Sequence, residues 1–364
     1  MTTHMAAIAA DWPGGYWVHF AVFTVIVLVF AFGMILVIIY FERRGIGRFQ
    51  SRLGPNRTGP FGLLQPIADA IKALTKESIT PAKADKWVYW LAPVIAFVPA
   101  LMIFAVIPFQ DGALLADLNI GILYVVAISS VSVVGIFMAG WGSNNKYSLL
   151  AAMRSIAMVI SYEIPLGLAI VSVVLVAGSL SMNEIVTSQN IPFILFQPLG
   201  FLIFFLAASA EINRAPFDLL EADSEIVAGF HIEYSGMKFA MFYLVEYCEA
   251  LALSAIITTL FLSGWRGPVL PPILWFFIKV FLVFFVLVWV RSTVPRLRID
   301  QIMGFAWKCL LPLALINLFI TGLQVVVWPE GLPWVMIFVN LAIMAVLILL
   351  WSKLFKLGGG RVEV

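Results

Sequence analysis

Eight of the chain's twenty carboxylates fall in one stretch of 39 residues: Glu211, Asp218, Glu221, Asp223, Glu225, Glu233, Glu246 and Glu249. Only Arg214 and Lys238 oppose them there. The stretch is flanked by long apolar segments, in a chain that is 62% hydrophobic with a mean hydropathy of +1.03. Ionised carboxylates are costly beside hydrocarbon, so groups crowded there exchange protons readily. Proton handling is the chemistry these residues suggest. A helical loop would set Asp218, Glu221 and Glu225 at i, i+3 and i+7, on one face. Glu246 and Glu249 lie i, i+3 inside an apolar run, where each charge costs roughly 2.5–3.5 kcal/mol on insertion scales. Glu163, in Ser161-Tyr162-Glu163-Ile164-Pro165, is a further intrahelical acid, and Lys279 is an intrahelical base.

Plainer readings stand beside that one. The loop acids could form a solvated acidic surface. An acid and Lys279 could form a buried ion pair that locks two helices. Three intrahelical acids beside an acidic loop fit a buried proton path better than either. Arginines collect at the ends of apolar runs: Arg43 and Arg44 after Glu42, Arg154, and Arg291, Arg296 and Arg298. Singly these read as topology anchors. As a group they could hold acids or polarise a carbonyl.

The elements that must position these groups are membrane helices. Only 12% of the 364 residues are charged, against about a quarter in soluble domains. Nine apolar runs are long enough for a layer of ~30 Å: 16–41, 90–109, 120–141, 156–180, 191–210, 239–262, 273–290, 305–327 and 332–354. Together they predict an all-α polytopic membrane protein forming a single membrane domain over 1–364. The core spans about 16–327, with an extra C-terminal helix at 332–354. No Lys or Arg precedes residue 42, so the first run does not read as a cleaved signal. Twenty of the 22 Lys and Arg fall on one side of such a bundle. The positive-inside rule then puts the N-terminus outside, the C-terminus inside and the functional loops in the cytoplasm. After the turn block Gly54-Pro55-Asn56-Arg57-Thr58-Gly59-Pro60, the residues Leu63, Leu64, Ile67, Ile71 and Leu74 recur near helical spacing. They predict an amphipathic helix at the membrane surface, or a plain connecting helix.

Cofactor chemistry is weakly provided for. Three histidines offer no paired haem ligands, and Cys248 and Cys309 form no cluster for iron–sulfur. Gly45-Ile46-Gly47 lacks the third glycine and the strand–helix setting of a nucleotide fingerprint. Electron transfer would need a partner's cofactors, and nucleic acid is not an expected partner.

The motifs resemble a family, the quinone-site membrane subunit of respiratory complex I, found in bacteria and, as subunit one, in mitochondria. The likeness is carried by Phe41-Glu42-Arg43-Arg44, Leu53-Gly54-Pro55-Asn56-Arg57 and the run from Gly59 to Asp69. It continues through Ser161-Tyr162-Glu163, the run from Ala210 to Leu219, Glu233-Tyr234-Ser235-Gly236, Val245-Glu246-Tyr247 and the run from Arg291 to Gln301. The resemblance implies a chamber, built with peripheral-arm subunits, that admits a quinone from the bilayer. It implies no redox cofactor on this chain, with quinone as substrate and iron–sulfur clusters and flavin in partner subunits. Other implied partners are antiporter-like and small membrane-arm subunits and the lipid of a bacterial inner membrane.

By motif position, Arg43, Phe61, Asp69, Arg291 and Arg296 would meet the quinone. Glu163, Glu211, Glu221, Asp223, Glu225 and Glu246 would form the proton relay, with Tyr162, Tyr247, Arg214 and Lys279 auxiliary. Asp223 stands where many members carry Glu, and Leu220 where Pro is expected. Glu249 matches no motif of the family; it reads as an extra relay group or an ion-pair partner of Lys279. Two other readings remain. One is the equivalent subunit of a membrane-bound hydrogenase or ferredoxin-dependent complex; the other is a stand-alone ion transporter.

Overall fold

Hydrocarbon offers no partner to a backbone N–H or C=O, so long apolar runs become helices that pair these groups internally. The computed structural model describes residues 15–111, 114–218, 229–329 and 333–354. Its helices are α1 (Gly15–Phe49), α2 (Gln65–Thr75), α3 (Lys86–Met102), α4 (Gly121–Gly142), α5 (Lys146–Ala177), α6 (Met182–Ser188) and α7 (Phe193–Phe196). They continue with α8 (Pro198–Glu211), α9 (Gly236–Phe261), α10 (Pro272–Thr293), α11 (Ile299–Phe305), α12 (Leu311–Val327) and α13 (Met336–Leu354). Among the described residues, eight helical segments are long and apolar enough to cross a membrane: α1, α3, α4, α5, α9, α10, α11 joined to α12, and α13. The α11–α12 junction is a π-helical turn at Ala306–Leu310.

The fifth apolar run is the exception. It breaks between α7 and α8, where Gln197 leaves the helical region (φ −129°, ψ 60°) and Pro198 brings no N–H. The 14 residues of α8 give ~21 Å, short of a full crossing. Amide side chains gather at the break: one serves its freed backbone and another ties it to α5. Asn340 donates to the Phe196 carbonyl at 2.5 Å and Gln197 to the Ser172 carbonyl at 3.0 Å. Gln324 donates to Asn340 at 2.6 Å.

Small residues set the closest packing. A Cβ on Gly135 of α4 would lie 2.7 Å from the Ala96 nitrogen of α3, so those two backbones touch as membrane helices with small faces do. Large apolar side chains on outward faces, such as Val29, Phe319 and Val326, are exposed. The bundle has two distinct ends. At the polar end the start of α3 meets the end of α4 (Asp85 N to Gly142 O, 3.0 Å), and Tyr89 donates to the Glu233 carbonyl at 2.7 Å. At the far end Gln189 donates to the Thr259 carbonyl at 2.8 Å. Helix α2 lies at the polar end with Ile67, Ile71 and Leu74 exposed, the amphipathic helix that the spacing predicts.

Candidate functional site

The polar end of the bundle opens into a groove of about 280 Å³ between α1, α2 and α9. Its walls are apolar, among them Leu36, Ile39, Pro66, Leu74 and Met237, and Arg43, Asp69 and Tyr243 are its polar groups. The Arg43 guanidinium pairs with Asp69. Gln65 donates to the other Asp69 oxygen at 2.9 Å, and Gln65 in turn accepts from Thr58 at 2.6 Å. A tail-bearing molecule with a polar head would fit such a slot.

From the groove a line of polar side chains runs inward. Arg43 faces Tyr243, whose hydroxyl is 3.2 Å from that of Tyr247 one turn along α9. The Tyr247 ring lies under the Arg214 guanidinium, 4.5 Å from its centroid, a cation–π contact. Arg214 reaches one oxygen of Glu42, and Arg291 of α10 reaches the other. Glu42 is 1% exposed and Arg214 6%. Burial works against the charge of Arg214; the Glu42 carboxylate more than offsets it and holds the guanidinium above its ordinary pKa. This clamp joins three helix ends that are distant in sequence. Glu42 is a member of this cluster that spacing alone does not single out. The Glu-Arg-Arg run that ends the first apolar segment is the available signal.

Deeper along α9 sits a second cavity, about 40 Å³, room for roughly three waters. Glu211 at the end of α8 and Glu249 of α9 both line it, among apolar neighbours such as Val125, Phe204 and Ile256. Ser129 faces Glu211 and Ser132 faces Glu249, both from α4. Glu163 acts electrostatically on Glu211 from α5, and its Oε1 is buried with no hydrogen-bond partner among the described residues. No cation among the described residues lines this cavity. Glu249, unplaced by motif, thus belongs with Glu163 and Glu211. Glu246, one turn back, contributes to the field at Arg214 and Arg291, so it stands between the clamp and the cavity.

The remaining candidates fall elsewhere. Tyr162 is buried against Phe217 (5.3 Å between rings) and donates to the Ile302 carbonyl at 2.9 Å. Arg296 pairs with Asp218 at 2.9 Å. Phe61 is exposed beside Arg44, its carbonyl taking hydrogen bonds from Tyr40 and Arg44. Lys279 differs from both readings that made it an acid's partner. Its ammonium donates to the carbonyls of Leu262, Gly264 and Arg266 at 2.7, 2.9 and 2.7 Å, capping the chain where α9 ends. A lysine on α10 reaches back toward its helix start and finds those carbonyls before any acid. Glu221, Asp223, Glu225 and Leu220 lie outside the described residues.

A helical membrane protein with an apolar groove at one end, joined to a string of buried ionisable groups, belongs to the class of multi-pass membrane proteins with a polar interior. The comparisons narrow that class. The model of the family described as NADH dehydrogenase matches residues 22–322, and the chain belongs to that family. It is 62% identical over 349 residues to the NADH-quinone oxidoreductase subunit designated H in Dehalococcoides mccartyi strain CBDB1, covering 96% of this chain and 99% of that protein. The counterpart designated H 2 in Geobacter sulfurreducens is 49% identical (83% and 92% covered), and that of Brevibacillus brevis 48% (87% and 96%).

Proposed function

We propose that this chain is the quinone-site membrane subunit of a proton-pumping NADH:quinone oxidoreductase in a bacterial inner membrane. Its N-terminus faces outward, and its polar end faces the cytoplasm and the peripheral arm. One observation carries the reading: α9 lines both cavities, with Tyr243, Glu246 and Tyr247 between the groove at its start and the glutamates near its middle. From Gly236 to Glu249 the helix rises ~20 Å, about two thirds of the hydrocarbon layer. The family match and the relatives' names favour this over a hydrogenase-type subunit or a stand-alone transporter.

The groove admits the isoprenoid tail, and Arg43, Asp69 and Tyr243 hold the polar head. Two electrons from iron–sulfur carriers in a peripheral partner, together with two protons, convert quinone to quinol. The negative charge that appears before protonation is felt through Tyr243, Tyr247 and Arg214, because few mobile dipoles screen it in the bundle. Glu246 passes that change to Glu249, Glu211 and Glu163, and the loop acids Glu221, Asp223 and Glu225 supply protons from the cytoplasmic side. Antiporter-like subunits receive the output. The test is Glu246→Gln in the assembled complex, in proteoliposomes, with NADH-driven quinone reduction and proton uptake both followed. The variant should assemble and lose turnover, pumping or both. Normal turnover with normal pumping would remove Glu246 from the relay.

A further inference from the structure

At the far end, away from the groove, an open cavity of about 600 Å³ lies where the turn after α9 meets the start of α10. Arg266, Lys279, Ser263 and Trp275 line it, and no carboxylate among the described residues does. Arg266 and Lys279 therefore give the cavity a formal charge of +2. Lys279 has all three donors on backbone carbonyls, so it offers a ligand its field rather than a hydrogen bond. Arg266 uses one nitrogen, Nη1, on the Thr187 and Gln189 carbonyls at 3.0 and 2.9 Å. Its planar fork has further N–H groups to offer an anion.

Two more donors point to a missing acceptor. The Ser263 hydroxyl and the Trp275 indole N–H are buried with no hydrogen-bond partner among the described residues, and Ser263 is only 6% exposed. Buried polar groups without partners are rare and call for an explanation. Gly267 takes part in the arrangement: a Cβ there would lie 2.4 Å from the Trp275 ring, so only glycine lets the indole lie flat against the turn. Leu282, which also lines the cavity, and Ile278 continue the face of Trp275 along α10, and both are exposed. Tryptophan at the start of a crossing helix marks the headgroup level of a membrane. A cationic, donor-rich pocket at that level, with an apolar stripe leading toward the bilayer centre, has the shape of a phospholipid.

The geometry points to this cavity as a binding site for an anionic phospholipid. Arg266, Ser263 Oγ and Trp275 Nε1 hold the phosphodiester, Lys279 contributes charge, and an acyl chain lies along Ile278 and Leu282. The site is separate from the groove and does not depend on the quinone reading. A lipid seated there fastens the turn that closes α9, the helix carrying Glu246 and Glu249.

Native mass spectrometry of the full-length chain in mild detergent, with phosphatidylglycerol as probe, tests the site. Ser263→Ala and Trp275→Phe each delete a donor that has no partner among the described residues, so folding should be untouched. Each should weaken phosphatidylglycerol binding by about three- to tenfold, and Arg266→Gln by more than about tenfold. Phosphatidylcholine should bind more weakly than phosphatidylglycerol. Unchanged phosphatidylglycerol binding in both Ser263→Ala and Trp275→Phe would overturn the assignment. So would equal affinity for phosphatidylcholine. Displacement of the lipid by inorganic phosphate would overturn it too, because the pocket would then be a soluble-anion site.

Discussion

Two sets of buried carboxylates sit within one bundle and are treated in opposite ways. Glu42 has each oxygen taken by a guanidinium, from Arg214 and from Arg291. Glu211 and Glu249 face serine hydroxyls across a small cavity that no cation among the described residues lines. The first arrangement holds helix ends together, and a travelling proton would have to approach two guanidinium charges to reach that carboxylate. The second keeps oxygens available and leaves room for water. The contrast separates residues that shape the site from residues that can change state within it.

Replacement of Glu42 by Ala gives the largest expected effect. It leaves Arg214 charged and buried without its counterion, a loss of ~3–5 kcal/mol for a broken buried pair. Thermal unfolding in detergent and retention of the chain in the purified complex should both fall sharply. A normally stable Glu42→Ala complex would show that the clamp is not structural and dissolve the contrast. Next come Glu211→Gln and Glu249→Gln, which keep shape and should leave assembly intact. Proton uptake coupled to quinone reduction should drop by at least about tenfold in each, as for loss of a proton-transfer group. If Glu249→Gln pumps normally while Glu211→Gln does not, the relay bypasses Glu249 and the cavity serves one carboxylate.

Tyr247→Phe should be milder. It removes one hydroxyl of the 3.2 Å contact with Tyr243 and keeps the ring beneath Arg214. Turnover should fall by about two- to fivefold, the worth of ~1 kcal/mol, with stability unchanged; a wild-type rate would cut the link between groove and clamp. Asp69→Asn should be the smallest in stability, under ~1 kcal/mol, because its pair with Arg43 is a third or more exposed at both partners. Its effect should appear instead as a raised KM for quinone. An unchanged KM would move the polar head away from Arg43 and Asp69.

Much of the fold is legible in the sequence because hydropathy and helix length are coupled in lipid. The run 120–141 corresponds to α4, Gly121–Gly142, and 273–290 to α10, Pro272–Thr293. Where polarity and helix part company, the two differ. α1 continues to Phe49, eight residues past the apolar run, and α5 starts at Lys146 under an Asn145 cap, since backbone pairing continues through charged residues. The run 191–210 reads as one span by hydropathy, although Gln197-Pro198 carries the break in plain sight. The site is legible as an inventory of groups rather than as a geometry. Glu42 meets residues 172 and 249 positions away, a convergence no local spacing encodes. Lys279 looks like an acid's partner by hydropathy, but the turn after α9 supplies carbonyls nearer to hand.

The break at Gln197 also explains why α13 stays with the bundle. Most of that helix is exposed, and greasy contact alone confers little attraction between helices in a lipid solvent. Its buried Asn340, however, takes over the carbonyl of Phe196. The last helix is thus pinned at two points, by this amide to the end of α7 beside the break and by the Trp351 indole to the Lys308 carbonyl at 2.9 Å, like a splint across a fracture. Trimming it away would bare an unsatisfied oxygen to oil and loosen the half-length helix that ends in Glu211.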